Sequence, residues 1–240
     1  MKIDNCVALV TGANRGIGKA FVDELLARGA KKVYAAGRRL EEIEARDRVV
    51  PVRIDVTSEQ DVKAAAAECG DVNLLINNAG VVQWKNSFED GAREGLEQEM
   101  AVNYWGSLAM SRAFAPVLEA NGGGALVNIL SIAALMTFPF ATTYCVSKAA
   151  EHSMTQSLRG ELAGQGTLVV SVYPGPVDTR MIKDLSGEKL PPAELAATVF
   201  DGIEDDVEYI VPRLAREIVE NNFADPKDVE RQLTEEFFAS

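Results

Sequence analysis

Short runs of β-branched and aliphatic residues alternate with longer stretches of helical periodicity along the chain. This alternation narrows the possible folds more than any other feature. The strand candidates are VALV (7–10), KVYAA (32–36), VVPVRI (49–54), VNLLI (72–76), ALVNIL (125–130), LVVSVY (168–173) and EYIV (208–211). Several are apolar almost throughout, as strands covered on both faces must be. Helical patterns near 16–29, 58–68, 91–120, 141–164 and 193–205 separate them. Right-handed crossovers between such strands lead to an α/β fold of the Rossmann type: a doubly wound parallel sheet with helices on both faces. No linker rich in Pro, Gly or Ser interrupts the 240 residues, so one domain over 1–240 is expected.

Composition removes several function classes. The net charge of −12 argues against a nucleic-acid groove or an anionic membrane surface as partner. It leaves room for an anionic cofactor held by a few local arginines. No apolar run approaches the ~18 residues that cross a membrane. The start, MKIDNCVALV, lacks a secretory-signal pattern, so a cytoplasmic location is expected. Cys6, Cys69 and Cys145 are odd in number and lack metal-type spacing; they read as free thiols in a reducing compartment. His152 is the single histidine, which excludes a zinc site built on several histidines; no metal is expected.

The first strand candidate runs into TGANRGIG (11–18), where Gly12, Gly16 and Gly18 precede the helical pattern GKAFVDELLARG. Backbone bare of side chains lets a pyrophosphate approach the helix N-terminus, whose unpaired N–H groups and dipole favour an anion. The spacing is GxxxGxG, and a purely structural turn could use the same glycines; the strand before and the helix after favour the binding reading. The second strand candidate ends in AAGRR. Gly37, Arg38 and Arg39 stand where an NAD-binding fold often carries an acid for the ribose 2′-hydroxyl, and no carboxylate occurs before Glu41. A guanidinium pairs with a 2′-phosphate that a carboxylate would repel, and Arg15 can reach the same phosphate. NADP(H) is therefore favoured, with NAD(H) left open. Asp55 either accepts a hydrogen bond from the adenine amine or orders its own turn. Thr57 or Ser58 caps the next helix, with Gln60 or Asp61 three residues on.

YCVSK (144–148) sets a phenol and an amine on one helix face. A phenol with its ordinary pKa of about 10 is a slow acid–base catalyst near neutrality, and an adjacent ammonium is expected to lower that value. Ser131 follows the strand candidate ALVNIL and can donate to a substrate oxygen. Asn103 lies inside the long helical pattern, where asparagine is a poor fit because it competes for backbone bonds. His152 reads as a packed or surface residue, and Cys145 lacks a partner base in sequence.

Taken together, TGANRGIG, NNAG (77–80), Asn103, Ser131, YCVSK and YPGPVDT (173–179) resemble the short-chain dehydrogenase/reductase family in order and spacing, over about the first 180 residues. The resemblance implies alcohol–carbonyl interconversion with NADP(H) or NAD(H) and a catalytic tetrad of Asn103, Ser131, Tyr144 and Lys148. It implies that Asn103 holds a water relaying protons from Lys148, and that Thr179 bonds the nicotinamide carboxamide. The expected cofactor positions are Gly12, Asn14, Arg15, Gly16, Ile17 and Gly18 in the turn, then Arg38, Arg39, Asp55 and Val56. Asn78, Ala79 and Gly80 of NNAG follow, with Tyr144, Lys148, Pro174, Gly175, Val177 and Thr179. Beyond residue 180 the chain departs from a pattern common in the family, leaving 193–240 atypical.

Loops past the carboxyl ends of parallel strands are where such sheets bind ligands. Trp84, Leu135, Phe138, Phe140 and Met181, with Ser131, are expected to form an apolar substrate pocket, and 177–192 a lid. The patterns 91–120 and 141–164 offer broad faces, so a homodimer is expected, with a tetramer open. Val229, Leu233 and Phe237 form a stripe expected to pack on its own domain. The resulting expectation is an NADP(H)-dependent carbonyl reductase or alcohol dehydrogenase for an apolar ketone or aldehyde. The alternatives are an NAD-linked alcohol dehydrogenase working oxidatively and a non-catalytic dinucleotide sensor.

Overall fold

The computed structural model describes residues 1–239, leaving out the side chains of Glu236, Phe237 and Ala239. Seven parallel strands form one sheet: β1 (Val7–Thr11), β2 (Lys32–Gly37), β3 (Val49–Arg53), β4 (Leu74–Asn77), β5 (Ala125–Ile129), β6 (Leu168–Val172) and β7 (Tyr209–Ile210). Their order across the sheet is β3-β2-β1-β4-β5-β6-β7. Register follows the apolar runs, with Val7 beside Lys32 and Leu74 beside Ala125. Helices cover both faces, as the two-sided burial of the strands requires. On one side Phe21 and Leu25 of α1 (Gly16–Ala27) and Val199, Phe200 and Ile203 of α6 (Pro192–Glu204) meet the sheet. Phe21 and Phe200 pack edge to face at 5.6 Å. On the other side lie α2 (Glu59–Glu68), α4 (Ser107–Ala120) and α5 (Thr142–Glu161), contributing Val62, Phe114, Leu118, Met154 and Leu158.

Three features depart from the sequence expectation. The pattern at 91–120 is not one α-helix: α3 (Ala92–Glu99) passes through a π-helical turn at Met100–Gly106 before α4. Such wide turns insert a residue and re-aim a side chain, here the buried Asn103. The last strand shrinks to two residues. The chain then forms α7 (Arg213–Ala224), an amphipathic helix not anticipated from sequence, and α8 (Pro226–Ala239). Ala215, Val219 and Val229 bury against Ile132 and Met136 from the loop after β5, with Leu233 packed alongside. Val229 and Leu233 thus pack on their own chain; the Phe237 side chain lies outside the described residues. Among these residues no helix is long and apolar enough to cross a membrane.

Candidate active site

Strand order reverses between β1 and β4, and the loops beyond the carboxyl ends of the sheet part to leave a cleft of about 1020 Å³. Every cofactor position named from sequence lines it, from Gly12 to Thr179. Ser131, Trp84, Phe138, Phe140 and Met181 line it too. Leu135 does not. Its side chain turns into the small core formed with Met136, Val211 and α7, because α7, unseen in sequence, gives it an apolar surface to bury against.

The glycine turn is built for close approach. Gly12 has φ +65, and a Cβ on it would fall 3.1 Å from the Cα of Ala79. A Cβ on Gly18 would stand 2.2 Å from the carbonyl oxygen of Gly12, so no side chain fits there. Thr11, missed in the sequence reading, ties the turn to the NNAG segment. Its hydroxyl accepts from the amides of Asn78 and Ala79 at 2.9 and 3.0 Å. Asn78 Nδ2 donates back to Thr11 O at 2.8 Å. Arg15 precedes α1 without a side-chain cap, so the first N–H groups of a twelve-residue helix face the cleft with no side chain accepting from them.

At the far mouth, Arg15 and Arg38 carry no ion-pair partner among the described residues, while Arg39 pairs with Glu42. Glu42 also accepts from Asn14 Nδ2 at 2.6 Å, which places an unforeseen carboxylate on the cleft wall. Asp55 orders its own turn, as one of its two readings required: Oδ1 accepts from the amide and hydroxyl of Thr57 at 3.0 and 2.7 Å. Ser58 caps α2 by accepting from Asp61 N, and Asp61 reaches back to Asp55 N.

At the other end, Tyr144 and Lys148 face the cleft from α5. The Lys148 ammonium lies 6.0 Å from the Tyr144 ring centre. It donates to Ile129 O at 2.9 Å and to Glu151 Oε2 at 2.7 Å, leaving one of its three N–H groups for the cleft. Ser131 lies beside Tyr144 on the cleft wall, and its hydroxyl accepts from Ala133 N at 3.1 Å. Burial works against the Lys148 charge, but Glu151 and Tyr144 hold its pKa above the ordinary lysine value. For Tyr144 the Lys148 charge acts in the expected direction, but burial outweighs it. Burial raises the phenol, Lys148 pulls it down, Glu151 pushes it up again, and the net position is above the ordinary value. Alone, the chain therefore keeps this tyrosine firmly protonated.

Asn103 is fully buried and does not line the cleft. Its Oδ1 accepts from Val81 N at 2.9 Å, while Nδ2 donates to Val81 O at 3.0 Å and Ser147 Oγ at 2.9 Å. Both donors are spent bracing the NNAG loop to α5, and one acceptor site remains beneath Gly80. A Cβ on Gly80 would meet Asn103 Oδ1 at 3.4 Å and Lys148 Nζ at 3.9 Å. His152 sits outside the cleft, half-buried, its Nδ1 2.8 Å from the Tyr173 hydroxyl. Cys145 is buried, accepts from Phe138 N at 3.3 Å, and has its thiol pushed up by burial, the opposite of what a nucleophile needs. Trp84 holds a left-handed backbone (φ 53) and stacks on Phe140 at 6.0 Å, with Phe138 5.8 Å beyond. The 177–192 segment is clasped at its base, where Asp178 N donates to Leu190 O and Leu190 N to Pro176 O. Arg180 and Lys183 on it are exposed.

These features coincide with a known family. The short chain dehydrogenase profile matches residues 6–189. The chain is 35% identical over 226 residues to the 2-(R)-hydroxypropyl-CoM dehydrogenase of Xanthobacter autotrophicus, covering 82% of this chain and 89% of that protein. Among solved structures, a short chain dehydrogenase from Burkholderia cenocepacia in complex with NADP superposes with a TM-score of 0.93 at 41% identity, over 97% of this chain and 99% of that one. A short chain dehydrogenase/reductase from Burkholderia phymatum in complex with NAD gives 0.83 at 25% identity, over 95% and 96%. The chain belongs to the short-chain dehydrogenase/reductase family and is an oxidoreductase of the Rossmann-type fold. The Burkholderia cenocepacia match runs into the C-terminal helices, so the atypical segment is not peculiar to this chain.

Proposed function

We propose that the protein is an NADP(H)-dependent carbonyl reductase or alcohol dehydrogenase acting on an apolar ketone or aldehyde. One observation carries this reading: Tyr144, beside Ser131 and one turn from the Lys148 ammonium, faces a cleft whose other end is a glycine turn. The residues present fit a nicotinamide dinucleotide. The uncapped start of α1, the side-chain-free face at Gly12 and Gly18, and Arg15, Arg38 and Arg39 suit a pyrophosphate and a 2′-phosphate. The NADP complex of the Burkholderia cenocepacia protein supports the phosphorylated coenzyme; the NAD complex of the Burkholderia phymatum protein keeps the NAD-linked oxidative reading as the alternative.

When bound, the coenzyme supplies or accepts the hydride at the carbonyl carbon. The protein's part is the proton. Tyr144, protonated at neutral pH, gives its proton to the substrate oxygen as negative charge develops there. Ser131 donates a hydrogen bond to the same oxygen and orients it. The Lys148 charge then stabilises the phenolate left behind, and its free N–H suits the ribose hydroxyls. Asn103 keeps the NNAG loop and α5 in register so that this geometry persists. Trp84, Phe138, Phe140 and Met181 offer the apolar carbonyl its wall, under a lid at 177–192. Trp105 and Val146 expose apolar surface on the outer faces of the two long helical stretches, which supports a homodimer.

Tyr144→Phe is expected to cut turnover at least about a hundredfold while leaving coenzyme binding intact. Unchanged turnover in a panel of ketones, aldehydes and alcohols with both coenzymes would remove the reading. Coenzyme binding with no turnover on any substrate would favour the sensor.

A further inference from the structure

Beneath Lys148 lies an acid outside the motifs named above. Glu151 stands one turn beyond Lys148 on α5, with 1% of its side chain exposed, and its Oε2 is 2.7 Å from the Lys148 ammonium. Its other oxygen accepts from Ser107 Oγ of α4 at 2.8 Å. Around the pair runs a closed ring of buried polar groups. Ser111 donates to Ser107 O at 2.7 Å; Asn77 donates to Ser111 at 3.1 Å and to Asn128 at 2.9 Å. Asn128 donates to Thr155 at 2.8 Å, and Thr155 to the Glu151 carbonyl at 2.7 Å. A carboxylate this deep is costly, and an apolar side chain of similar volume would stabilise the helix–sheet contact at least as well.

We propose that Glu151 is a positioning residue for the proton-transfer step: its carboxylate fixes the Lys148 ammonium and opposes that ammonium's pull on the Tyr144 proton, setting the pH range in which the tyrosine ionises. This rests on the function proposed above. The groups facing the Tyr144–Lys148 pair are Glu151 and Cys145 from α5 itself, the Ser131 hydroxyl and Ile129 carbonyl from the β5 end, the neutral Asn103 from the π-helical turn and, through Glu151, the Ser107 hydroxyl from α4. Glu99 of α3 acts on Cys145 rather than on the pair. Among these, Glu151 is the acid directly on the lysine: burial raises its pKa above the ordinary carboxylate value, Lys148 and Ser107 pull it back, and little solvent reaches the pair to screen it.

The test is a pH titration of the tyrosinate ultraviolet difference signal in enzyme loaded with NADP⁺, subtracting matched Tyr144→Phe samples. It is read beside the pH profile of kcat/KM for oxidation of 1-phenylethanol. In Glu151→Gln both midpoints are expected to move down by about one pH unit, the lower end of what a neighbouring charge contributes. Glu151→Asp is expected to return them toward wild type. Ser107→Ala, which keeps the carboxylate but weakens its ionised form, is expected to move them the same way by less, and it stands in should Glu151→Gln fail to fold. An unmoved midpoint, or an upward shift, overturns the inference. The two readings separate cleanly: wild-type turnover in Tyr144→Phe sinks the proposed function, whereas an inactive Tyr144→Phe with an unmoved Glu151→Gln midpoint sinks only the role of Glu151.

Discussion

The two ends of the cleft set a cation beside a carboxylate in opposite surroundings. At one end Lys148 and Glu151 are 5% and 1% exposed, 2.7 Å apart, and enclosed by polar partners. At the other, Arg39 and Glu42 are 67% and 33% exposed. Coulomb attraction between exposed ions is weakened by water and salt, and such pairs contribute little to stability. A buried pair is held by mutual need, since removing one member strands the other. The buried end therefore behaves as a fixed electrostatic instrument. The exposed end is free to exchange partners.

Lys148→Met should break the contrast most visibly. Stranding Glu151 costs about 3–5 kcal/mol, a fall in melting midpoint on the order of 10 °C for a chain of this size. Calorimetry of the double variant Lys148→Met/Glu151→Leu is expected to recover most of that loss; failure to do so would show that the pair itself, not the orphaned charge, carries the stability. At the exposed end, Arg38→Ala and Arg39→Ala are each expected to weaken NADPH binding about tenfold in fluorescence titration and to leave NADH nearly unchanged. These losses should shrink near 1 M salt, where screening acts within about 3 Å. Equal or tighter NADH binding by the wild type would refute the arginine argument altogether. Glu42→Gln, freeing Arg39 and removing a carboxylate from the phosphate's surroundings, is expected to tighten NADPH about threefold with no change in melting midpoint.

His152, half-buried, lies between these extremes and gives the smallest effect. Burial and then Arg159 lower its pKa from 6.5. The unfolded chain thus binds the proton more readily, and stability present above that value is lost as pH falls through it toward the folded pKa. His152→Gln is expected to flatten the change in denaturant midpoint between pH 7.5 and about 5.5. An unaltered slope would assign it to other groups.

Much of the sheet was legible because strands buried on both faces must be apolar throughout, a signal that needs no tertiary knowledge. The glycine turn was legible for a related reason: a helix start without side chains leaves few alternatives. The π-helical turn at Asn103 was not, since its cause is a contact across the fold, with the Val81 backbone and Ser147. Glu151 carried a faint local signal, one turn from Lys148. The hydroxyl that makes its burial tolerable is Ser107, 44 residues away. Leu135 misled for the converse reason: in sequence it reads like its pocket neighbours, and only the arrival of α7 gives it another place to bury.

By itself the sequence determined the alternation of strands and helices as far as β6, the glycine turn before α1, and the placing of Tyr144 and Lys148 on one helix face, because each depends on residues close along the chain. The tertiary structure alone decided how strongly that tyrosine holds its proton. Desolvation and a second buried charge set that quantity, and both exist only once distant segments have closed around it.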